Sequence, residues 1–419
     1  MGGDDSNSSN QILYNTIGSS VTLFFQWLII MLIPRMTDFS DAGVFAVAIS
    51  ICSILNYVAT LFMNQYQVSD QYEKFSENDY FVCRLITIIV SFAVCIIVVP
   101  IFNYSLEQSL TIIGYMLYRN LLHFAYLHMA TLQIEERLDL AGKCMIIEGA
   151  VSFVSFTACY YATADLPLSV FVMAIFGGGT FLLTMAFAYR RVLGRHYPYK
   201  LKNLRVIVPM TVVGVPLLLS VMAPAMITAL PKLILQMYQS DEAVGIFSTL
   251  TAPTIIIPTL VTGVFTPFIV HFSNLRRKND LPSIRRDFAK TIVLIAIFSV
   301  FAVTASLLLA EFFFTLLYGE EIAPYVHYFH IMVIGISIFS IGLCGITVLI
   351  TKDQGKEAAI YSVIALAISM GIFSLTIPLY GMDAATYGLL ASYSIFSILI
   401  TLSVWFKPLK TNPAPPSMR

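Results

Sequence analysis

The sequence predicts an all-α membrane protein with twelve transmembrane helices, and three observations lead to this prediction. Hydrophobic residues make up 58% of the 419 residues and charged residues only 11%, whereas a soluble domain carries about 25% charged residues. Apolar stretches of about 20 residues recur along the chain, and only helices and closed barrels satisfy their backbone groups in lipid. The connections between the stretches alternate between basic and nearly cation-free, as in multi-pass proteins.

The connections between the predicted spans are too short to hold a soluble domain. Span 1 has no signal-peptide form, because no Lys or Arg precedes it and its apolar run is longer than a signal core. We therefore expect it to be a retained helix. The twelve spans lie at residues 12–33, 42–63, 81–101, 111–130, 145–161, 167–189, 206–230, 243–271, 291–317, 325–350, 358–379 and 384–406.

The basic residues predict the orientation of the chain. The connections after even-numbered spans, together with the C-terminal tail, carry all but three of the 24 Lys and Arg residues when Arg84, near the start of span 3, is counted with the connection before it. By the positive-inside rule, both termini and the central connection 189–205 face the cytoplasm. The three exceptions are Arg35, Lys232 and Arg119, and these are the candidate functional cations.

A repeated pattern divides the chain into two halves. Pro34-Arg35 follows span 1 and Pro231-Lys232 follows span 7, and each pair precedes a Gly-x-Phe segment, Gly43-Val44-Phe45 or Gly245-Ile246-Phe247. Six spans per half give parallel repeats, which bind substrate between them. The pattern therefore predicts an N-terminal lobe, 1–195, and a C-terminal lobe, 196–419. Chance similarity between apolar segments is the alternative.

Arg119 lies about 12 Å along span 4, too deep to reach either interface easily. An arginine at this depth costs roughly 2.5–3.5 kcal/mol on insertion scales, so it normally faces a watery cavity or a partner. Tyr115, His123 and Tyr126 fall on the same helical face as Arg119. We predict that these four residues bind an anionic substrate.

Span 1 presents a second polar surface. Asn15, Ser19, Thr22 and Gln26 recur with helical spacing in an otherwise apolar segment. They would either line an aqueous cleft, where Asn15 and Gln26 suit sugar hydroxyls, or form hydrogen bonds with a neighbouring helix.

Other polar groups within the spans do not suggest enzyme chemistry. For Arg119, the structural alternative to substrate binding is an ion pair with a carboxylate such as Glu148 or Glu311. Gly177-Gly178-Gly179 lacks the Lys-Ser/Thr pair of a phosphate-binding loop and indicates close helix packing. We find no catalytic set, no metal-ligand spacing and no nucleic-acid motif. Prolines in spans 7 and 8 predict bent or broken helices.

Four short segments resemble the polysaccharide-biosynthesis flippases, which transport O-antigens and other lipid-linked oligosaccharides and belong to the multidrug/oligosaccharidyl-lipid/polysaccharide (MOP) exporter superfamily. The segments are Asn15-Thr16-Ile17-Gly18, Ala42-Gly43-Val44-Phe45, Tyr66-Gln67-Val68-Ser69-Asp70 and Ala243-Val244-Gly245-Ile246-Phe247. The resemblance covers the whole chain in helix number and lobe layout.

The resemblance implies two six-helix lobes that form a V around a central cavity. It also implies alternating access in a bacterial inner membrane, with a polyprenyl-pyrophosphate-linked oligosaccharide moved from the cytoplasmic to the outer leaflet for lipopolysaccharide or capsule biosynthesis. Expected partners are this substrate, membrane lipids, and the glycosyltransferases and polymerase of the same pathway. No cofactor is expected, and coupling to a proton or sodium gradient is unassigned.

Other functions stay open as alternatives. Multidrug exporters of the superfamily often carry a carboxylate in the first helix, and span 1 contains none. Lipid II flippases usually have two additional C-terminal helices. A membrane-embedded glycan-modifying enzyme would need paired acids or a histidine-based site near one membrane face.

Overall fold

The structure is a computed structural model that describes residues 4–61, 63, 67, 75–201, 204–265, 268–278, 280–352 and 354–407. Every regular element in these ranges is helical, which confirms the all-α prediction. Most of the motif at 66–70 and the tail beyond 407 lie outside the described residues. The α-helices are α1 (Asp4–Met36), α2 (Phe39–Thr60), α3 (Glu77–Ile101), α4 (Leu106–Ile134), α5 (Leu138–Thr163), α6 (Leu166–Met173), α7 (Gly179–Leu193), α8 (Ile207–Tyr238), α9 (Asp241–Thr251), α10 (Ile256–Phe265), α11 (Phe268–Arg277), α12 (Leu281–Tyr318), α13 (Val326–Thr351) and α14 (Gly355–Phe406).

In the described part of the chain, ten segments are long and apolar enough to cross a membrane, against twelve predicted spans. One difference is α4, whose Arg119, Asn120, His123 and His128 lower its mean hydropathy. The other is α14, which has 52 residues, or about 78 Å of helix, more than twice the thickness of a bilayer core. Its backbone is not helical at Gly381 (φ 56°, ψ −126°), so α14 has two arms that match spans 11 and 12.

Helix irregularities fall in spans 6 and 8. A π-helical turn, Ala174–Gly178, separates α6 from α7. A 3₁₀ turn, Ala252–Ile255, contains Pro253 and separates α9 from α10, which agrees with the predicted effect of proline there. In span 7, α8 runs from Ile207 to Tyr238 without a break.

The chain forms two compact units. Unit 1 comprises Met1–Leu218 and Gln239–Thr249, and unit 2 comprises Leu219–Tyr238 and Leu250–Arg419. The predicted lobes 1–195 and 196–419 stay a prediction.

Within unit 1, the two repeat-related glycines pack against each other's helices. A Cβ on Gly43 would lie 1.9 Å from the carbonyl oxygen of Asp241, and a Cβ on Gly245 would lie 1.7 Å from that of Phe39. Each glycine thus makes room for the carbonyl four residues before the other glycine. This reciprocal arrangement is what two-fold related copies of one motif would form, so it supports the repeat found in the sequence.

The central connection packs onto the start of α3 within unit 1. The Tyr197 hydroxyl donates to the carbonyl oxygen of Glu77 (2.9 Å), and Arg195 forms an ion pair with the Glu77 carboxylate (3.0 Å). Burial raises the pKa of Tyr197, because the phenolate is disfavoured away from water. The described residues of this connection therefore belong to unit 1 through contacts with α3.

In unit 2, α13 packs along the second arm of α14. Gly342 lies against Phe396, and the Ser397 hydroxyl donates to the carbonyl oxygen of Ile338 (2.6 Å). Lys352 is 1% exposed and donates from Nζ to the carbonyl oxygens of Val404 and Lys407, each at 3.0 Å. These carbonyls are at the end of α14 and have no partner within the helix, so Lys352 acts as a C-terminal cap.

Candidate functional site

The candidate site is centred on α4, which carries four of the predicted residues. The helix begins with a capping box: Gln108 N donates to Ser105 Oγ (3.2 Å) and Ser105 N donates to Gln108 Oε1 (3.0 Å). Arg119 is the fourteenth of its 29 residues. The cation is therefore at the middle of the helix, as the sequence predicted.

Arg119 and His123 share one partner, Asn56 on α2. The orientation of the Asn56 amide that satisfies both places its oxygen 3.1 Å from Nε and 2.7 Å from Nη2 of Arg119, as an acceptor. The amide nitrogen then donates to Nε2 of His123 at 2.6 Å, which makes this histidine neutral with its proton on Nδ1. One neutral side chain thus orients both the guanidinium and the imidazole.

Among the described residues, no carboxylate lies within ion-pair distance of Arg119. Glu148, one of the two predicted alternatives, instead accepts hydrogen bonds from Tyr118 and Ser152. Glu311, the other, is an exposed residue of unit 2. The charge of Arg119 is consequently stabilised by a neutral amide rather than by an acid.

Aromatic rings complete the face of α4. Tyr115 is 8% exposed and meets Phe45 edge to face, with ring centroids 5.5 Å apart. The Tyr126 ring lies 6.0 Å from His123 and 5.6 Å from Phe181. His123 thus contacts the Tyr126 ring and shares Asn56 with Arg119, while Tyr115, one turn before Arg119, packs against Phe45.

The polar stripe of α1 packs at least partly against α5. Thr22 Oγ1 donates to the carbonyl oxygen of Met145 (2.9 Å), and a Cβ on Gly142 would come within 2.8 Å of Asn15 N. Among the described residues, Asn15 Oδ1 is buried without a hydrogen-bond partner, and Gln26 is half-buried. Thr22 thus follows the helix-packing interpretation of the stripe, while Asn15 still has an acceptor to satisfy.

The two other predicted cations lie in different units. Arg35 is exposed in the last turn of α1, and Lys232 is half-buried in the part of α8 that belongs to unit 2.

Sequence reasoning missed the partners of these residues. Asn56 is the single amide in the apolar α2 segment from Ile51 to Ala59, a signal that could have identified it. Glu148 was noted only as a possible partner of Arg119, although a carboxylate inside a span is itself a functional-site signal.

The chain was compared with protein families, curated proteins and solved structures. No family model matches the chain. The capsular polysaccharide biosynthesis protein CapF of Staphylococcus aureus is 25% identical over 403 residues, which cover 94% of this chain and 98% of CapF.

Two solved structures share the fold at low sequence identity. An inward-facing multidrug resistance MATE family transporter of the MOP superfamily superposes with a TM-score of 0.69 at 12% identity, covering 95% of this chain and 97% of that one. The lipid II flippase MurJ in an inward closed conformation also gives a TM-score of 0.69 at 12% identity, covering 95% and 87%.

These similarities extend over nearly the whole chain. The chain is an all-α, multi-pass membrane protein that shares its fold with a MATE transporter of the MOP superfamily and with the lipid II flippase MurJ, and this is the fold that the short motifs suggested.

Proposed function

We propose that this protein is a flippase that moves a polyprenyl-pyrophosphate-linked oligosaccharide from the cytoplasmic to the outer leaflet. CapF is named for capsular polysaccharide biosynthesis, and its similarity over nearly its full length supports a role in the same kind of pathway. The substrate itself is argued from the site on α4.

The observation that carries the proposal is the state of Arg119. Its guanidinium lies at mid-helix, and its hydrogen-bond partner among the described residues is the Asn56 amide. A buried cation without an acidic partner is costly, and a transported anion lowers that cost when it binds. Guanidinium groups bind phosphate oxygens in a forked, two-bond geometry, so a pyrophosphate is the anion that fits best.

The other predicted residues have supporting roles in this proposal. His123 and the Tyr115 and Tyr126 rings offer polar edges and flat faces beside the cation, which suit a sugar next to the pyrophosphate. Arg35 and Lys232 assist near the outer exit. Asn15 and Gln26 form hydrogen bonds with glycan hydroxyls where their side chains line the aqueous cleft.

The proposed architecture is the one that the sequence predicts: twelve spans in two lobes, 1–195 and 196–419, around a V-shaped cavity that opens alternately to each side. The second arm of α14 and the polar helix α4 supply the two spans beyond the ten most apolar segments. Both termini face the cytoplasm of a bacterial inner membrane, as the cation distribution predicts.

Two other substrates are consistent with the fold: lipid II and cationic drugs. Lipid II also carries a pyrophosphate, so Arg119 would bind both lipids in the same way. Contacts with the glycan would have to discriminate between lipid II and the proposed substrate. A cationic drug is disfavoured beside Arg119, because like charges repel strongly in a medium of low dielectric constant.

The test is transport by the purified full-length chain in liposomes. Labelled polyprenyl-pyrophosphate oligosaccharide should become accessible to an impermeant glycosidase in protein-containing vesicles and not in empty ones. Lipid II and a cationic dye run in parallel should be moved less efficiently. Movement of the dye alone, or equal exposure of the glycan in empty vesicles, would overturn the proposal.

A further inference from the structure

A second polar site lies inside unit 1, on the side of α4 that Tyr118 faces. Glu148 is 2% exposed and is the eleventh of 26 residues in α5. Its Oε1 accepts a hydrogen bond from the Tyr118 hydroxyl and another from Ser152 Oγ at 2.8 Å. The two hydroxyls are also 3.3 Å apart, so the three oxygens form a closed triangle.

The π-helical turn Ala174–Gly178 forms one wall of this site. A Cβ on Gly177 would lie 2.0 Å from Ser152 Oγ, and a Cβ on Gly178 would lie 3.5 Å from the Tyr118 ring. The two hydroxyl groups that hold Glu148 are therefore the groups that the turn contacts. Single π-helical turns inside α-helices are rare and occur often at functional sites.

The charged and titratable groups around Glu148 come from α4. They are Tyr118, which is bonded to the carboxyl, Arg119, whose positive charge acts on it, and the Tyr115 and Tyr126 phenols. The neighbouring helix α1 contributes the neutral Thr22 hydroxyl. Glu148 is thus the acid of this buried set, and the nearest cation is not in contact with it.

The oxygen triangle can hold the carboxyl in both protonation states. When Glu148 is charged, both hydroxyls donate to it. When it is neutral, its own O–H can donate to Ser152, Ser152 can donate to Tyr118, and Tyr118 can donate back to the carboxyl, because a hydroxyl is both donor and acceptor. In either state each oxygen of the triangle has a hydrogen-bond partner within it, which favours reversible protonation away from water.

We propose that Glu148, held by Tyr118 and Ser152, is a proton-binding site of the transporter, and that the π-helical turn senses its protonation through the two hydroxyls. The proton adds to the carboxylate and leaves by the same route, so no other reactant is needed. The coupling of this step to transport rests on the proposed flippase function, whereas proton binding itself does not.

Infrared pH titration of the full-length protein in lipid vesicles tests proton binding without any substrate. The wild type should show a protonated-carboxyl band that titrates, and Glu148→Gln should lose it. Glu311→Gln is the matched control, since it removes an exposed carboxyl within α12 and should leave the band unchanged. A titrating band that persists in Glu148→Gln would overturn the assignment.

Ser152→Ala provides a test that does not depend on the folding of the glutamine variant. Removal of one hydrogen-bond partner should shift the Glu148 band to higher wavenumber, while an unshifted band would show that the triangle does not hold the proton. Replacing choline by sodium at fixed pH should change nothing. Loss of the band on adding sodium would identify a metal-ion site instead.

Transport measurements separate the proton-site hypothesis from the flippase hypothesis. In vesicles with an imposed pH gradient, wild-type transport should accelerate, and Glu148→Gln should retain transport with no response to the gradient. If Glu148→Gln responds as the wild type does, Glu148 is not the coupling site. If the wild type titrates but moves no lipid-linked oligosaccharide, the flippase proposal fails while the proton site stands.

Discussion

At the residue scale, Asn56 determines what Arg119 can bind. An amide oxygen holds the guanidinium in place with two hydrogen bonds, 3.1 Å and 2.7 Å long, but it does not neutralise the charge. A phosphate oxygen forms shorter and stronger bonds with guanidinium than an amide does. The Asn56 amide therefore orients the guanidinium while its positive charge is kept.

This arrangement predicts that Asn56→Asp abolishes transport without loss of protein. The carboxylate has the shape of the amide and would form a permanent ion pair with Arg119, which competes with the substrate anion. We expect membrane abundance equal to or above that of the wild type and transport reduced at least about tenfold, the equivalent of 1.4 kcal/mol. Quantitative immunoblotting and glycan export measured in the same cells check both parts.

Substitutions of Arg119 distinguish the effect of the forked guanidinium geometry on substrate binding from the effect of its positive charge. Arg119→Lys keeps the charge but not the fork, so transport should fall, and Arg119→Ala should lower it further. Asn56→Gln is the control for the added charge of Asn56→Asp, because it keeps a neutral amide on a side chain that is one methylene longer. Full transport by Arg119→Ala at normal abundance would contradict a role in substrate binding.

The buried lysine of unit 2 predicts a pH effect on stability. Burial, with a smaller contribution from the charge of Arg285, lowers the pKa of Lys352 from its ordinary value of 10.5 to about 8. Between these two pH values the unfolded chain holds a proton that the folded chain has released. The free energy of unfolding therefore rises with pH through this range. Below pH 8 Lys352 is charged in both states, and the destabilisation by its buried charge is complete.

Lys352→Met should lack that rise. Thermal unfolding in detergent should show that the Tm of the wild type increases relative to the Tm of Lys352→Met as the pH is raised from 8 towards 10.5. A constant difference between the two proteins across this range would mean that the folded and unfolded states bind the Lys352 proton equally well.

At the element scale, the parts of the fold that depend on local composition were predictable. Long apolar runs predicted the membrane helices, the Pro253 region predicted a break in span 8, and helical spacing placed Arg119 and His123 on one face of α4. The π-helical turn was not predictable, because it depends on Ser152 of another helix occupying the space beside Gly177. The pairing of Tyr118 with Glu148 was missed for the same reason. Asn56 stands out as an amide in an apolar segment, but its pairing with Arg119 on another helix has no signal in local sequence.

The glycine crossing in unit 1 gives a prediction about packing. Gly43→Ala and Gly245→Ala would each place a methyl group less than 2 Å from a backbone carbonyl oxygen, which the helices can relieve only by moving apart. Overpacking of this kind costs about 1–3 kcal/mol, so the Tm of each variant should fall. Gly371→Ala, with open space around its Cβ position, is the matched control and should leave the Tm unchanged or raise it slightly.

An unchanged Tm in Gly43→Ala and Gly245→Ala would mean that the two helix starts do not touch in the folded protein. A fall in only one of them would contradict the reciprocal geometry, since each glycine faces the carbonyl four residues before the other.

At the scale of the whole molecule, the apolar surface and the basic residues carry different information. Large apolar side chains such as Leu308 (76% exposed) and Leu183 (72% exposed) lie on the outside of the helices, where lipid replaces water. This surface requires a membrane but is the same for either orientation. The orientation follows only from the cations, which are concentrated in the connections after even-numbered spans.

The last prediction therefore tests the orientation with two matched leucines. Leu106, at the start of α4, is 76% exposed, and Leu201, in the central connection, is 68% exposed. Because α4 begins in a cation-poor connection and Leu201 lies among basic residues, an impermeant thiol reagent added to intact cells should label Leu106→Cys and not Leu201→Cys. The background is a variant without the six native cysteines, and disrupting the cells should make Leu201→Cys reactive. Labelling of Leu201→Cys alone in intact cells would reverse the orientation, and with it the proposed direction of substrate movement.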